Sequence, residues 1–567
     1  MEYSELVKML EDLVRLPIYN VIGKLKEDTP ILLTTIEGNV GISALVENKL
    51  RVLTKEPIAS SAVPKSHLDF LPFTRDVEKG KELHSIYIVN LKGEEYEVAS
   101  PRLRIFSLAY DENKIAFIGS SQNESALYVI EGGKIRKIAN VPPFSEVADL
   151  NGDYIVGSGV LKGNPKSQEF FVADLSGDFK IFTPKEGGSI NTAYYIKDNK
   201  IYVISDYENP GESYWVYTFD FQKYERVEFP EKDIYNYKPV ELYYDPEDLI
   251  IIAKKDGQSK LFFNGKALNT PEGTIRGATR IGDEIYFSHS SLVIPYKVYK
   301  LNLGENKTPE VVINNKEIVG GGEKKVEYVK IKNGEVKVPT WIIRTTSKVG
   351  IVYVHGGPWG EVENSWNLLI APLVNAGFTV IAPNFRGSTG YGSKFNLMDV
   401  GDPGGGDLSD VIKVRDYATQ FVEKVGIMGY SYGGYMTLLA LGKSPDKWDF
   451  GIAGASVADW VEMYELSDSF FKSFIEILFM GKNLELMKDR SPITYVNNVK
   501  APLCIIHSQN DTRTPLVPVL RYVQELQKGG KTFEFHVIPN LGHAIYKIDD
   551  AIDLLLPALI FLKKLFG

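Results

Sequence analysis

Between Gly23 and Asn314 turn signals cut the chain into short apolar or alternating runs, and no helical pattern of useful length develops there. The turns include Glu37-Gly38-Asn39, Glu131-Gly132-Gly133, Asn151-Gly152-Asp153, Lys255-Asp256-Gly257 and Ile281-Gly282-Asp283. The runs are rich in Val, Ile, Tyr and Phe, which suit a pleated, half-buried surface. Strands expected at Lys114–Ser120, Asp153–Ser158, Lys200–Ser205, Asp248–Lys254 and Glu284–Ser288 are each followed by a polar loop and a second strand. The unit returns about every forty residues. Regular spacing with divergent sequence predicts a β-propeller of about seven four-stranded blades, with a large β-sandwich or barrel as the alternative.

The rest of the chain is organised differently. Residues 3–16 carry a helical face of Leu6, Met9, Leu10, Leu13 and Val14, and Pro17 ends it. Ile318-Val319-Gly320-Gly321-Gly322-Glu323 reads as a hinge. After it, strands are expected at Gly350–His355, Thr379–Ala382, Phe450–Ala455, Pro502–His507 and Thr532–Ile538. Helices are expected at Trp366–Ala376, Leu408–Val422 and Val517–Gln527, with a last one from Asp549. Strands alternating with helices imply a largely parallel sheet covered on both faces, with its ligand site at the carboxyl ends of the strands. A chain of 567 residues is also too long for one core.

Within this second part, Val425 to Tyr430 is a strand-like run, Met436 to Gly442 is helix-like, and Gly429-Tyr430-Ser431-Tyr432-Gly433 joins them. This is the G-x-S-x-G pattern of a strand–turn–helix elbow that exposes a serine hydroxyl at the top of a sheet. Such a serine needs a base and an acid, which follow it in that architecture in the order acid, then histidine. Asp511 lies in the loop after the strand Leu503–His507, beside the amide Asn510. Asp402, Asp407 and Asp468 flank helices and fit caps or loops better. His543 lies in the loop after the last strand, whereas His536 sits within that strand. For the oxyanion, the backbone N–H of Tyr432 is one donor, and Gly357 in His355-Gly356-Gly357-Pro358 is the other. His355 is expected to be structural.

A net charge of −9 argues against nucleic acid as a partner. The polar, acidic start Met1-Glu2-Tyr3-Ser4-Glu5 is not a signal peptide. The apolar stretch around Leu554 to Leu562 is interrupted by Pro557 and is too short to span a membrane. A single cysteine, Cys504, fits a reducing, cytoplasmic compartment. No cofactor is implied. No metal site is expected either, because the histidines are scattered and Cys504 has no ligand partner at metal spacing.

His355-Gly356-Gly357-Pro358, Asn384-Phe385-Arg386-Gly387-Ser388-Thr389-Gly390-Tyr391-Gly392, the Ser431 elbow, Asn510-Asp511-Thr512-Arg513-Thr514-Pro515 and Gly542-His543 occur in one order. Together they resemble the prolyl oligopeptidase family of serine peptidases over the whole chain. Gly454-Ala455-Ser456-Val457-Ala458-Asp459-Trp460 and Glu462–Asp468 are similar to its archaeal acylaminoacyl peptidase branch. The resemblance implies a seven-bladed propeller over residues 23–318, an α/β-hydrolase domain over 319–567, and an N-terminal segment 1–22 whose helix packs on the hydrolase. It implies a catalytic triad of Ser431, Asp511 and His543, with Gly357 and Tyr432 as oxyanion donors. Arg513 would contact a substrate carbonyl, with a salt bridge to a propeller acid as the alternative. Trp460, Phe471, Phe474 and Ile475 would form an apolar pocket, or equally the core packing of their helices.

The activity implied is release of N-acylated amino acids from short or unfolded peptides with blocked amino ends. Dipeptidyl peptidase or broad oligopeptidase activity is the nearest alternative, simple esterase the next. Glu94-Glu95 sits in an expected surface turn and does not read as a free-amine site. A non-catalytic propeller binding protein is the alternative from another class. Self-association into a homo-oligomer is compatible with all of these.

Overall fold

The structure is a computed structural model describing residues 1–305, 307–316 and 322–567. The expected domain boundary at 318/319, and the hinge apart from Gly322 and Glu323, fall outside the described residues.

Helix α1 (Tyr3–Val14) buries Leu6, Leu10, Leu13 and Val14. Leu6, Leu10 and Val14 share one hydrophobic cluster with Ile552, Leu555 and Leu559 of the last helix. Burying side chains of this size contributes roughly 1.5–3 kcal/mol each. The exposed Arg15–Asp549 pair at 2.9 Å adds about 1 kcal/mol at most. The apolar face therefore holds α1 on the C-terminal domain.

From Tyr19 to Ile313 the described residues form five four-stranded antiparallel sheets and one seven-stranded sheet, laid down in chain order. The seven-stranded sheet continues through the 16-residue strand Glu95–Tyr110. That strand pairs with His84–Asn90 through its first part, up to Leu103, and with Lys114–Ser120 from Arg104 onward. The first sheet abuts the last: Val21 N donates to Ser288 Oγ at 3.3 Å, and Lys24 Nζ to the Arg280 carbonyl at 2.9 Å. A cavity of about 330 Å3 is lined by Val21, Pro64, Tyr110, Asp149, Tyr195, Asp245 and Ala278, drawn from all six sheets, so it lies on the axis of a closed ring. This is a propeller.

The C-terminal domain is built on an eight-stranded sheet. Its strands are β1 (Lys325–Asn333), β2 (Val336–Arg344), β3 (Val349–Val354), β4 (Thr379–Pro383), β5 (Lys424–Tyr430), β6 (Phe450–Gly454), β7 (Leu503–Ser508) and β8 (Phe533–Ile538). Their order is β1-β2-β4-β3-β5-β6-β7-β8. β1 and β2 are antiparallel, β2 meets β4 antiparallel, and all later pairings are parallel. Its longer helices are α2 (Gly406–Ala418), α3 (Tyr432–Lys443), α4 (Trp460–Leu466), α5 (Ser469–Leu478), α6 (Leu516–Lys528) and α7 (Ile548–Phe566). One face of the sheet packs on α2 and α3, the other on α1 and α7. With both faces covered, its inner strands read as continuous apolar runs. The helix expected over Trp366–Ala376 is confined to Ala371–Asn375. Asn367 Oδ1 accepts the N–H groups of Leu369 and Ile370 and so makes a turn of the preceding residues.

Candidate active site

Ser431 joins β5 to α3 at φ +61°, a left-handed conformation that costs a non-glycine residue of order 1 kcal/mol or more. Its flanks must be bare. A Cβ on Gly429 would lie 2.3 Å from the Gly433 carbonyl carbon, and one on Gly433 would lie 2.0 Å from the Val354 oxygen. The turn is tied down by Ser431 N donating to Gly454 O and Tyr435 N donating to Ser431 O, both at 2.9 Å.

The loop after β3 lies over this turn. A Cβ on Gly356 would fall 3.5 Å from Ser431 Cβ and 4.0 Å from Tyr432 N. Gly357 follows at φ +128°. His355 supports the loop from below: it stacks on Phe385 at 4.3 Å, and its ring nitrogens meet Gly356 O and Ser388 Oγ, both at 2.7 Å. Burial pushes its imidazole down to about 4, so it stays neutral. Neither nitrogen is left for Ser431.

Asp511 occupies the turn after β7. Its Oδ1 accepts from the backbone of Arg513 at 2.9 Å and of Thr514 at 2.8 Å. Its Oδ2 accepts from Thr514 Oγ1 at 2.9 Å and lies 2.7 Å from His543 Nδ1. Burial would raise this carboxyl, but the charge and hydrogen bond of His543, with Thr514 assisting, hold it below the ordinary carboxylate range. The His543 loop is tied to the elbow by Tyr430, whose hydroxyl donates to the His543 carbonyl at 2.7 Å.

Ser431, Tyr432, Gly357, His543, Arg513, Trp460, Phe471 and Phe474 all line one cavity of about 270 Å3. Asp511 stands behind His543 and does not line it. Ile475 is a correction: it is fully buried in the core with Leu478 and Phe479 and forms no part of the cavity wall. Trp460 serves both uses, lining the cavity while packed against Tyr435 and Phe479 at 4.9 and 5.1 Å. Val457, Met463 and Thr514 also line it and escaped the sequence reading, although Met463 lies three residues from Trp460, on the same helical face.

Arg513 has a second attachment. Its Nε and Nη2 donate to Glu82 of the propeller at 2.7 and 2.5 Å, while its side chain borders the cavity. Glu82 is 1% exposed and also accepts from Arg104 Nη1 at 2.6 Å. Arg104 in turn reaches Asp468 at 2.7 Å and Thr512 at 2.8 Å. The same propeller turn presses on the loops of Asp511 and His543: Asn510 and Thr512 donate to Lys79 O and Lys81 O at 3.0 Å, and Gly80 lies directly against Gly542. No sequence signal marks Glu82 or Arg104, since the pairing spans the two domains.

Of the acids assigned to caps, Asp468 caps α5 through Phe471 N. Asp407 is buried and accepts the Tyr432 hydroxyl, which holds the residue supplying the N–H after Ser431. Strand pairing places Glu534 and His536 beside Cys504, a juxtaposition that spacing along the chain does not show.

Residues 31–299 match the family model described as the acylamino-acid-releasing enzyme-like N-terminal domain, and residues 364–567 match that of the prolyl oligopeptidase family. The uncharacterized peptidase YuxL of Bacillus subtilis is 29% identical over 271 residues, 44% of this chain and 40% of that protein. The mouse acylamino-acid-releasing enzyme is 30% identical over 233 residues, 38% of this chain and 31% of that enzyme. The matches thus span well under half the length of these curated relatives. The fold of the Pyrococcus horikoshii acylaminoacyl peptidase superposes with a TM-score of 0.71 at 18% identity, covering 98% of this chain and 96% of that one. Residues 364–567 thus belong to the prolyl oligopeptidase family and follow an N-terminal domain of the acylamino-acid-releasing enzyme type, on a fold shared over nearly the whole chain with the Pyrococcus horikoshii peptidase.

Proposed function

We propose that this chain is a serine peptidase releasing N-acylated amino acids from the amino end of short or unfolded peptides, with esters and internal bonds of short peptides as side substrates. The observation that carries the reading is Asp511 held 2.7 Å from His543 Nδ1, with His543 and the strained Ser431 facing one cavity. In this reading Ser431 attacks the scissile carbonyl and His543 takes its proton through Nε2. Asp511 accepts from Nδ1–H, fixing the tautomer and stabilising the imidazolium. The N–H groups of Tyr432 and Gly357 receive the oxyanion. His543 then protonates the departing peptide amine, and a water it activates releases the acylated residue from Ser431.

Trp460, Phe471 and Phe474, with Val457 and Met463, take an apolar side chain before the scissile bond, and Arg513 meets the preceding carbonyl. Preference for a blocked amine follows from the charges. The described residues lining the cavity include no carboxylate, and nearby Glu82 is committed to two guanidiniums. A free ammonium would lose its hydration there without gaining a counter-ion, whereas an amide loses little.

The propeller's contacts on the Asp511 and His543 loops support a role in covering the site, which restricts substrates to thin chains. The same reading divides the chain at 1–22, 23–318 and 319–567 and counts seven blades. The strand Glu95–Tyr110 would then serve two adjacent blades, which its bend at Pro101 and Arg102 (φ +53°) supports. A cytoplasmic setting belongs to the proposal on the strength of the single cysteine; no helix among the described residues is long and apolar enough to cross a membrane.

The test is hydrolysis of matched chromogenic anilides of acetyl-leucine, free leucine and glycyl-proline. Strong preference for acetyl-leucine is expected. Preference for glycyl-proline would replace the reading with a dipeptidyl one.

A further inference from the structure

At the edge of the hydrolase sheet, β7 and β8 pair in parallel with Cys504 opposite Glu534 and Ile506 opposite His536. Strand alternation therefore places the side chains of Cys504, Glu534 and His536 on one face. One donor atom from each lies within 4.8 Å of the other two. His536 Nε2 is 3.0 Å from Glu534 Oε2, and Lys564 of α7 donates to the other carboxylate oxygen at 2.7 Å. Cys504 is fully buried and forms no disulfide. The side chains of His536 and Glu534 are 37% and 24% exposed, which leaves a path from solvent.

We infer that Cys504, Glu534 and His536 form a binding site for a thiophilic divalent cation of the Zn2+ type. A sulfur, an imidazole nitrogen and a carboxylate oxygen are the donor set such ions take, and they leave a fourth position for water or another ligand. In a tetrahedral shell the donor atoms stand roughly 3.3–3.6 Å apart. The widest donor separation, at most 4.8 Å, closes by up to about 1.5 Å to reach that spacing, while the His536–Glu534 pair at 3.0 Å opens slightly. Glu534 Oε2 supplies the oxygen while Lys564 keeps Oε1 and orients the carboxylate, as outer partners of metal ligands commonly do.

Binding releases the thiol proton to solvent, the imidazole binds in its neutral form, and the carboxylate binds ionised. Mg2+ and Ca2+ take oxygen ligands, so a donor set that includes a thiolate places them outside the class. An ion here joins two strands that lead into the loops of Asp511 and His543, since β7 ends at Ser508 and β8 at Ile538.

The test uses the full chain, freed of metal by a chelator and titrated with Co2+. One equivalent should give visible d–d absorption and a near-ultraviolet thiolate-to-Co2+ charge-transfer band, both reversed by Zn2+. Cys504→Ala should abolish the charge-transfer band. His536→Asn, at a partly exposed position that leaves the core intact, should weaken Co2+ binding about tenfold or more. Circular dichroism would verify that both variants fold. No charge-transfer band with excess Co2+, or a band unchanged in either variant, would overturn the inference. The readout is spectroscopic, so it stands or falls independently of the peptidase reading.

Discussion

Replacing Glu82 by Gln removes a charge at nearly constant volume where two guanidiniums depend on it. Arg104 keeps Asp468 and Thr512, but Arg513 loses the carboxylate that takes two of its N–H donors. Removing one partner of a buried ion pair costs about 3–5 kcal/mol. A second route gives a similar figure. Burial alone would raise the Glu82 carboxyl, yet the hydrogen bonds and charge of Arg513, with the charge of Arg104, hold it at about 2 against an ordinary 4.5. That displacement corresponds to about 3 kcal/mol. Because folding lowers this pKa, the contribution is complete above about pH 4.5 and is lost as pH falls toward about 2. Urea unfolding followed by tryptophan fluorescence should show Glu82→Gln less stable by about 3 kcal/mol at pH 7, with under half that gap left at pH 3. A gap below about 1 kcal/mol at pH 7, or one equal at both pH values, would refute the argument that Glu82 acts as the shared counter-ion.

Two further outcomes follow from the site's supports. Burial pushes the Asp407 carboxyl up to about 7, so folding favours its protonated form, and its contribution to stability falls as pH rises from about 4 to about 7. Melting temperatures across that interval should therefore decline more in the wild type than in Asp407→Asn. Gly357→Ala places a Cβ 2.4 Å from Trp359 N at a φ of +128°, and its displaced N–H should lower kcat on acetyl-leucine anilide by about 10²–10³.

The elbow could be read from sequence because its pattern is contiguous: Gly429 is forced bare by the Gly433 backbone at 2.3 Å, although the contact that forces Gly433 comes from Val354 on β3. The β1–β2 hairpin is equally local, with Gly334-Glu335 as its two-residue turn, yet the sequence reading places no strand there. The strand Glu95–Tyr110 hid one continuous sheet, because Pro101 interrupts its pattern and makes two runs of it. Glu82 and Arg513 are 431 residues apart, and only docking of the propeller on the hydrolase brings them together. Cys504 is likewise separated from Glu534 and His536 by the whole of α6 and the loops on either side of it, and the register of β7 on β8 decides that they meet. Ile475 shares a helix with Phe471 and Phe474, and helical spacing alone does not say which of the three turns to the core.

The central claim is that Ser431 forms the acyl-enzyme. Turnover of acetyl-leucine anilide by Ser431→Ala, compared with the wild type at equal concentration, tests it most directly. The account predicts a loss of about a millionfold in kcat with the fold intact. Turnover comparable to the wild type would contradict it.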